Sequence, residues 1–265
     1  MTELLLINSE LVSQSMETRL SLALFWTMIT VLIAAAPTSL LATEKSWALQ
    51  DKLTASDGAA GDQFGFSVAV DGDTIVIGAI GDGDLGSPNG SAYVFTRTGT
   101  VWSQQEKLNA SDSAAFDNFG ISVALNEDTI VIGAAFDDDN GSDSGSAYVF
   151  TRTGTVWSLQ EKLTASDGSS GDQFGESVAI NGDTIVVGAD FDDDNGSNSG
   201  SAYVFTRTGT IWMQQEKLTA SDGAAGDQFG TSVSVNGDTI VIGAFCDDDN
   251  GFRSGSVYVF DILFE

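Results

Sequence analysis

Three observations predict an all-β fold, a β-propeller of four 55-residue, four-stranded blades. Phe64, Phe119, Phe174 and Phe229 recur every 55 residues, and Trp47, Trp102, Trp157 and Trp212 keep the same spacing. Each period holds short apolar runs separated by Gly-containing turns, a pattern of four strands. Outside residues 20–36 no window shows a 3.6-residue apolar period, which disfavours a helical repeat. A gap-free period of this length, rich in Gly and aromatics, marks a propeller blade.

Taken in order, residues 1–45 read as a signal peptide or N-terminal anchor. The run "LSLALFWTMITVLIAAA" (20–36) follows Arg19, and Ala36 and Ala42 are plausible cleavage positions. Met16 begins an ordinary signal-peptide start, which makes residues 1–15 an over-extended start or a dispensable tail. The expected location is secreted, cell-surface or periplasmic, and membrane-anchored if the segment is not cleaved.

Residues 46–265 read as the propeller domain. In its first unit "FGFSVAV" (64–70) is an inner strand whose small residues suit the crowded centre of a ring. The turn Asp71-Gly72, Asn-Gly at 181–182 and 236–237, leads to "TIVIGA" (74–79). This strand and "SAYVFTR" (91–97) are almost wholly apolar, as sheet covered on both faces requires. Thr98-Gly99 then turns into the polar outer strand "VWSQQEKL" (101–108). The repeats span about 64–108, 119–163, 174–218 and 229–260. The last lacks an outer strand, and "SWALQDKL" (46–53) stands in phase to supply it and close the ring. The alternative is half of a larger ring completed by a second chain, so the expected state is a monomer or a two-chain ring.

Strand parity places the loops after the second and fourth strands on one face. That face collects "FDDDNGSDSG" (136–145), "FDDDNGSNSG" (191–200), "FCDDDNGFRSG" (245–255) and links such as "ASDGAAGDQ" (55–63). Oxygen ligands at alternate positions before a glycine resemble the start of a calcium loop. Asp137 and Asp139, Asp192 and Asp194, and Asp247 and Asp249 are therefore candidate calcium ligands. The closing carboxylate of a full EF-hand loop is missing, and "GDGDLGSPNG" (81–90) keeps only Asp82 and Asp84. Asp, Asn, Gly and Ser are also ordinary loop formers, which leaves a purely structural role open.

Composition excludes several chemistries. There is no histidine, which removes Ser-His-Asp and Cys-His catalysis and His-ligated zinc or haem. Cys246 is the single cysteine, so no intramolecular disulfide can form. Asp plus Glu number 38 against 10 Lys plus Arg, a net charge of −28 that repels nucleic acid and anionic membranes.

The stretch "FGFSVAVDGDTIVIGA" (64–79) resembles the FG-GAP repeat of integrin α-subunits and many secreted bacterial proteins, with Phe64-Gly65 and Gly78-Ala79 as the namesake pairs. The resemblance covers four units from about residue 47 onward. It implies a β-propeller used for extracellular binding or adhesion, often with calcium. Two departures stand out. Ile80, Ala135, Asp190 and Phe245 replace the proline of Gly-Ala-Pro, and the long calcium loop of the integrin form is here only a tight turn, Asp71-Gly72-Asp73. Integrin-type rings also have seven blades.

The expected function is a non-enzymatic module, calcium-assisted, binding an extracellular protein or glycan through its acidic face. The alternatives are a polysaccharide-active lyase or hydrolase using face carboxylates, and a self-associating structural surface repeat. No catalytic residues are assigned, since near-identical blades distribute the acids symmetrically.

Overall fold

The inner hairpins form where two apolar runs meet across a turn whose geometry only certain residues accept. Gly72, Gly182 and Gly237 sit at φ of 54°, 58° and 57°. The second blade has Glu127 at the same point with φ 53°, where an L side chain is disfavoured. A computed structural model describes residues 46–83 and 87–261 of the chain. The segment 1–45, read above as signal or anchor, lies outside the described residues, as does Asp84.

The described residues of the unit Gln50–Glu265 form strands and turns with no helix. The first sheet is β1 (Phe64–Asp71), β2 (Thr74–Ala79), β3 (Ser91–Thr98) and β4 (Val101–Leu108). The second is β5 (Val123–Asn126), β6 (Thr129–Ala134), β7 (Ser146–Thr153) and β8 (Val156–Leu163). The third is β9 (Ser177–Asn181), β10 (Thr184–Ala189), β11 (Ser201–Thr208) and β12 (Ile211–Leu218). The fourth holds β13 (Phe229–Asn236), β14 (Thr239–Ala244) and β15 (Ser256–Asp261). Each sheet is antiparallel with its strands in sequence order. The four sheets lie in a ring, a four-bladed β-propeller.

The core sits between blades. Val76, Ala92, Val94 and Leu108 of the first sheet pack with Phe119, Ile130, Phe150 and Trp157 of the second. The same pattern joins the second sheet to the third and the third to the fourth. Phe119, Phe174 and Phe229 are fully buried, each set edge-on against a tyrosine (Tyr148, Tyr203, Tyr258) at 5.3–5.4 Å. Each of the three junctions between consecutive blades is locked by a serine hydroxyl donating to a glycine carbonyl of the next blade: Ser67 to Gly120, Ser122 to Gly175 and Ser177 to Gly230, at 2.6–2.7 Å.

The expected closing strand is not formed. Residues 46–53 carry no strand, and among the described residues β15 pairs only with β14. Instead the chain from Gln50 onward runs beside the first blade. Gln50 Nε2 donates to Thr100 O at 3.0 Å, and the Ser56 amide donates to Gln104 Oε1 at 2.9 Å. The seam between the fourth sheet and the first is open: Val68 and Val70 on β1 are 67% and 68% exposed, and Val257 and Val259 on β15 are 66% and 64% exposed.

Candidate functional site

The loops that follow β2, β6, β10 and β14 come together with the blade-to-blade links, as strand parity requires. Parallel bridges tie Gly90 to Phe119, Gly145 to Phe174 and Gly200 to Phe229, holding each loop against the next link. The acidic face is thereby assembled from neighbouring segments of the fold.

Its inner aspartates are structural on both oxygens. Asp137 Oδ1 accepts the Asp139 amide at 3.1 Å, and Asp192 and Asp247 accept the Asp194 and Asp249 amides at 3.0 and 2.9 Å. These are turns closed by an aspartate side chain. The other oxygen faces a tyrosine hydroxyl, which donates to Asp137 at 2.7 Å, Asp192 at 2.8 Å and Asp247 at 3.0 Å. Asp137, Asp192 and Asp247 are buried, whereas Asp139, Asp194 and Asp249 are exposed.

A lysine ammonium stands where the sequence suggests a metal. Lys162, at the end of β8, reaches Asp112 at 2.7 Å and Asp137 at 3.0 Å and also pairs with Asp139. Its ammonium lies over the Tyr148 ring, with Nζ 5.0 Å from the centroid. In the third blade Lys217 pairs with Asp167 and Asp192 at 2.8 Å and with Asp194 at 2.5 Å. In the first, Lys107 pairs with Asp57 and Asp82, both at 2.8 Å. Burial alone would lower the Lys162 pKa, but hydrogen bonds to Asp112, Asp139 and Asp137 outweigh it and hold it above the ordinary lysine range.

One oxygen each from Asp112, Asp137 and Asp139 lie within 4.8 Å of one another, a spacing that could hold a metal ion. As folded, Lys162 supplies the positive charge at that point, so a divalent ion would have to displace it. The fourth blade differs. Tyr258 donates to Asp222 at 2.8 Å and to Asp247, but no lysine reaches Asp222, Asp247 or Asp249 among the described residues. The charges of Asp247 and Asp222 raise the pKa of Asp249 accordingly.

Sequence reasoning found the aspartates and missed the lysines, reading the end of the fourth strand as a polar edge. The signal was present: Lys52, Lys107, Lys162 and Lys217 share one phase in a chain poor in cations. The arginines on the opposite face are also committed inward. Arg97, Arg152 and Arg207 pair with Asp73, Asp128 and Asp183 and lie over Trp102, Trp157 and Trp212 at 5.0–5.1 Å.

One acid pair has no counterpart in the other blades. Glu176 and Asp190 stand where the first blade has Phe66 and Ile80. Burial, then the charge of Asp190, pushes the Glu176 carboxyl up from 4.5 to about 7, and burial pushes Asp190 up to about 6. Asp190 Oδ1 is buried without a hydrogen-bond partner. A carboxyl whose folded pKa exceeds its unfolded value is harmless below the latter and destabilises as pH rises through the former. The chain should therefore lose stability between about pH 4.5 and 7. Glu176→Gln and Asp190→Asn should each melt higher at pH 8, by about 1–3 kcal/mol, and match the parent at pH 4 in thermal scans.

Fold and face together define a repeat protein of the propeller class, with its carboxylates gathered on one side. The FG-GAP repeat family matches residues 47–95, 102–150, 157–205 and 212–260, and the chain belongs to that family. Each matched unit begins at a tryptophan of the 55-residue series, Trp47 included. No curated protein matches the sequence.

Proposed function

We propose that this chain is a secreted or cell-surface binding module, without enzymatic activity, that engages an extracellular protein or glycan through its acidic face. One observation carries the reading. Lys107, Lys162, Lys217, Arg97, Arg152 and Arg207 are each paired with a carboxylate of the fold, and the aspartates Asp138, Asp193, Asp248 and Asp249 stand exposed on one side, with Asp139 and Asp194 exposed beside their lysines. Membership of the FG-GAP family supports a binding role. A partner that presents cationic groups, or a neutral glycan bridged by a cation, suits such a face.

Calcium, which takes oxygen ligands in flexible geometry, is the ion we assign to it. Its preferred place is the fourth-blade cluster of Asp222, Asp247 and Asp249, because no lysine competes there among the described residues. Titration calorimetry of the purified chain with calcium chloride should give weak binding, with Kd on the order of 0.1–1 mM. Asp249→Asn should abolish it. Unchanged heat and melting in calcium and in EDTA would remove calcium from the reading. Retained partner binding after all six surface aspartates are changed to asparagine would remove the acidic face.

A further inference from the structure

Asp190 breaks a rule that the other buried aspartates of the acidic face obey. Asp137, Asp192 and Asp247 each accept a backbone amide on one oxygen and a tyrosine hydroxyl on the other. Asp117, Asp172 and Asp227 each accept an amide three residues back, from Ala114, Ser169 and Ala224, at 2.6–2.7 Å. Asp190 is 4% exposed, yet its Oδ1 is the one buried carboxylate oxygen among the described residues without a hydrogen-bond partner. A buried oxygen of this kind costs free energy unless a cation, a proton or a water meets it.

Its other oxygen is little better served. Asp190 follows β10 and faces Thr231 of β13 across the junction between the third and fourth sheets, with Oδ2 3.4 Å from Oγ1. The Thr231 hydroxyl has one proton to give, and the Gln228 carbonyl accepts it at 2.6 Å. Thr231 therefore turns a lone pair to Asp190, so two acceptors face each other across the junction. Glu176 is half-buried and close enough for the Asp190 charge to act on it. No lysine, arginine or hydrogen-bond donor reaches the Glu176 carboxyl among the described residues.

The fold does not need acids at this corner. The positions of Glu176 and Asp190 hold Phe66 and Ile80 in the first blade, and Ile121 and Ala135 in the second. The spacing of the facing oxygens selects what the acids serve. Two ligands at about 2.4 Å from one calcium ion, set at right angles, lie about 3.4 Å apart. Two ligands of a magnesium ion, at about 2.05 Å, lie only about 2.9 Å apart. The distance from Asp190 Oδ2 to Thr231 Oγ1 matches the larger ion.

We infer that the junction of the third and fourth blades binds one divalent cation of calcium size, held by the carboxylates of Asp190 and Glu176 and the hydroxyl oxygen of Thr231. Two carboxylates balance its charge, and water completes its shell. The ligands come from two blades, so the ion clasps the junction. The site is distinct from the exposed fourth-blade cluster of Asp222, Asp247 and Asp249. Its ligands are already ordered by packing, so it binds more tightly.

The test is titration calorimetry with calcium chloride at pH 8 on the full chain carrying Asp249→Asn. That substitution removes the weak fourth-blade binding and leaves this event in view. The expected result is one calcium per chain with Kd on the order of 10 µM, and magnesium chloride binding at least about tenfold more weakly. Adding Asp190→Asn should abolish the binding. Adding Thr231→Val, an apolar isostere at the position of Ile121, should weaken it about tenfold. Calcium should also raise the melting temperature of the Asp249→Asn chain and leave that of the Asp190→Asn double variant unchanged. Metal-free melting of the double variants, at or above that of the Asp249→Asn chain, establishes that they fold. No heat and no melting shift in the Asp249→Asn chain at millimolar calcium overturns the proposal. Full-strength binding in the Asp190→Asn double variant overturns it too, as does equal binding of magnesium. A parent chain that shows this event and no weaker one counts against the fourth-blade cluster alone.

Discussion

Replacing Lys162 with methionine is expected to destabilise the chain by about 2–4 kcal/mol at pH 7 in the absence of divalent ions. Methionine keeps an unbranched side chain of similar length, so the change removes the ammonium together with its contact over the Tyr148 ring. Its loss leaves Asp137, with its side chain 4% exposed, facing Asp112 and Asp139 with no positive charge between them. Breaking a fully buried pair costs about 3–5 kcal/mol, and Lys162 at 18% exposure justifies a slightly lower figure. The pH dependence follows from Asp112. Burial would raise its pKa, but hydrogen bonds from Lys162 and Tyr148 bring it below the usual value. A depressed carboxyl stabilises above its unfolded pKa, and that contribution disappears as pH falls through the folded value. Parent and variant should therefore converge in denaturant midpoint as the pH falls below the ordinary carboxylate range, and differ most at neutral pH. Calcium provides an independent check: three carboxylates without an ammonium suit the ion better, so 10 mM calcium, an amount well above the expected weak Kd, should raise the variant's melting temperature more than the parent's.

The second large effect is expected at Gly133. A Cβ there would lie 1.9 Å from the carbonyl oxygen of Gly175, on the backbone of the next blade. No rotamer change relieves a clash between backbones, so Gly133→Ala should separate the second and third sheets and cost about 3–5 kcal/mol. Gly243 occupies the same phase beside the open seam. Its Cβ would meet the Ser232 hydroxyl at 2.4 Å, a side chain that can turn away. Gly243→Ala should cost under about 1 kcal/mol. Urea midpoints of the two variants, measured side by side, test whether tight backbone approach between blades, or glycine at this phase as such, is what the fold requires.

The fold was legible because the strands are specified locally. Runs such as Thr74–Ala79, buried almost throughout, and turns such as Asn181-Gly182 state their conformation in a few residues. The second-blade turn is an exception, since Glu127 adopts the glycine conformation through tertiary constraint. The acidic face was legible from parity alone. The lysines were not, because their role depends on where a long side chain ends, and β8 delivers Lys162 to loops 23 and 50 residues away in sequence. Residues 46–53 are a different case: their phase matches an outer strand, but pairing needs an edge brought alongside, which phase alone does not supply, and no strand is shown there.

The placement of apolar contacts between neighbouring blades has a consequence for how the molecule gains and loses structure. A lone 55-residue unit has little interior to bury, since the partners of its Val, Ile and Trp side chains belong to the units before and after it. Folding should then resemble a one-dimensional chain of coupled units, in which each interface rather than each unit contributes the favourable free energy. Opening should begin at the terminal units and travel inward, so amide protons of β6 and β10 should exchange more slowly than those of β2 and β14. Lineages could lengthen or shorten such an array by whole units cut at tryptophan, because that cut keeps every surviving interface intact.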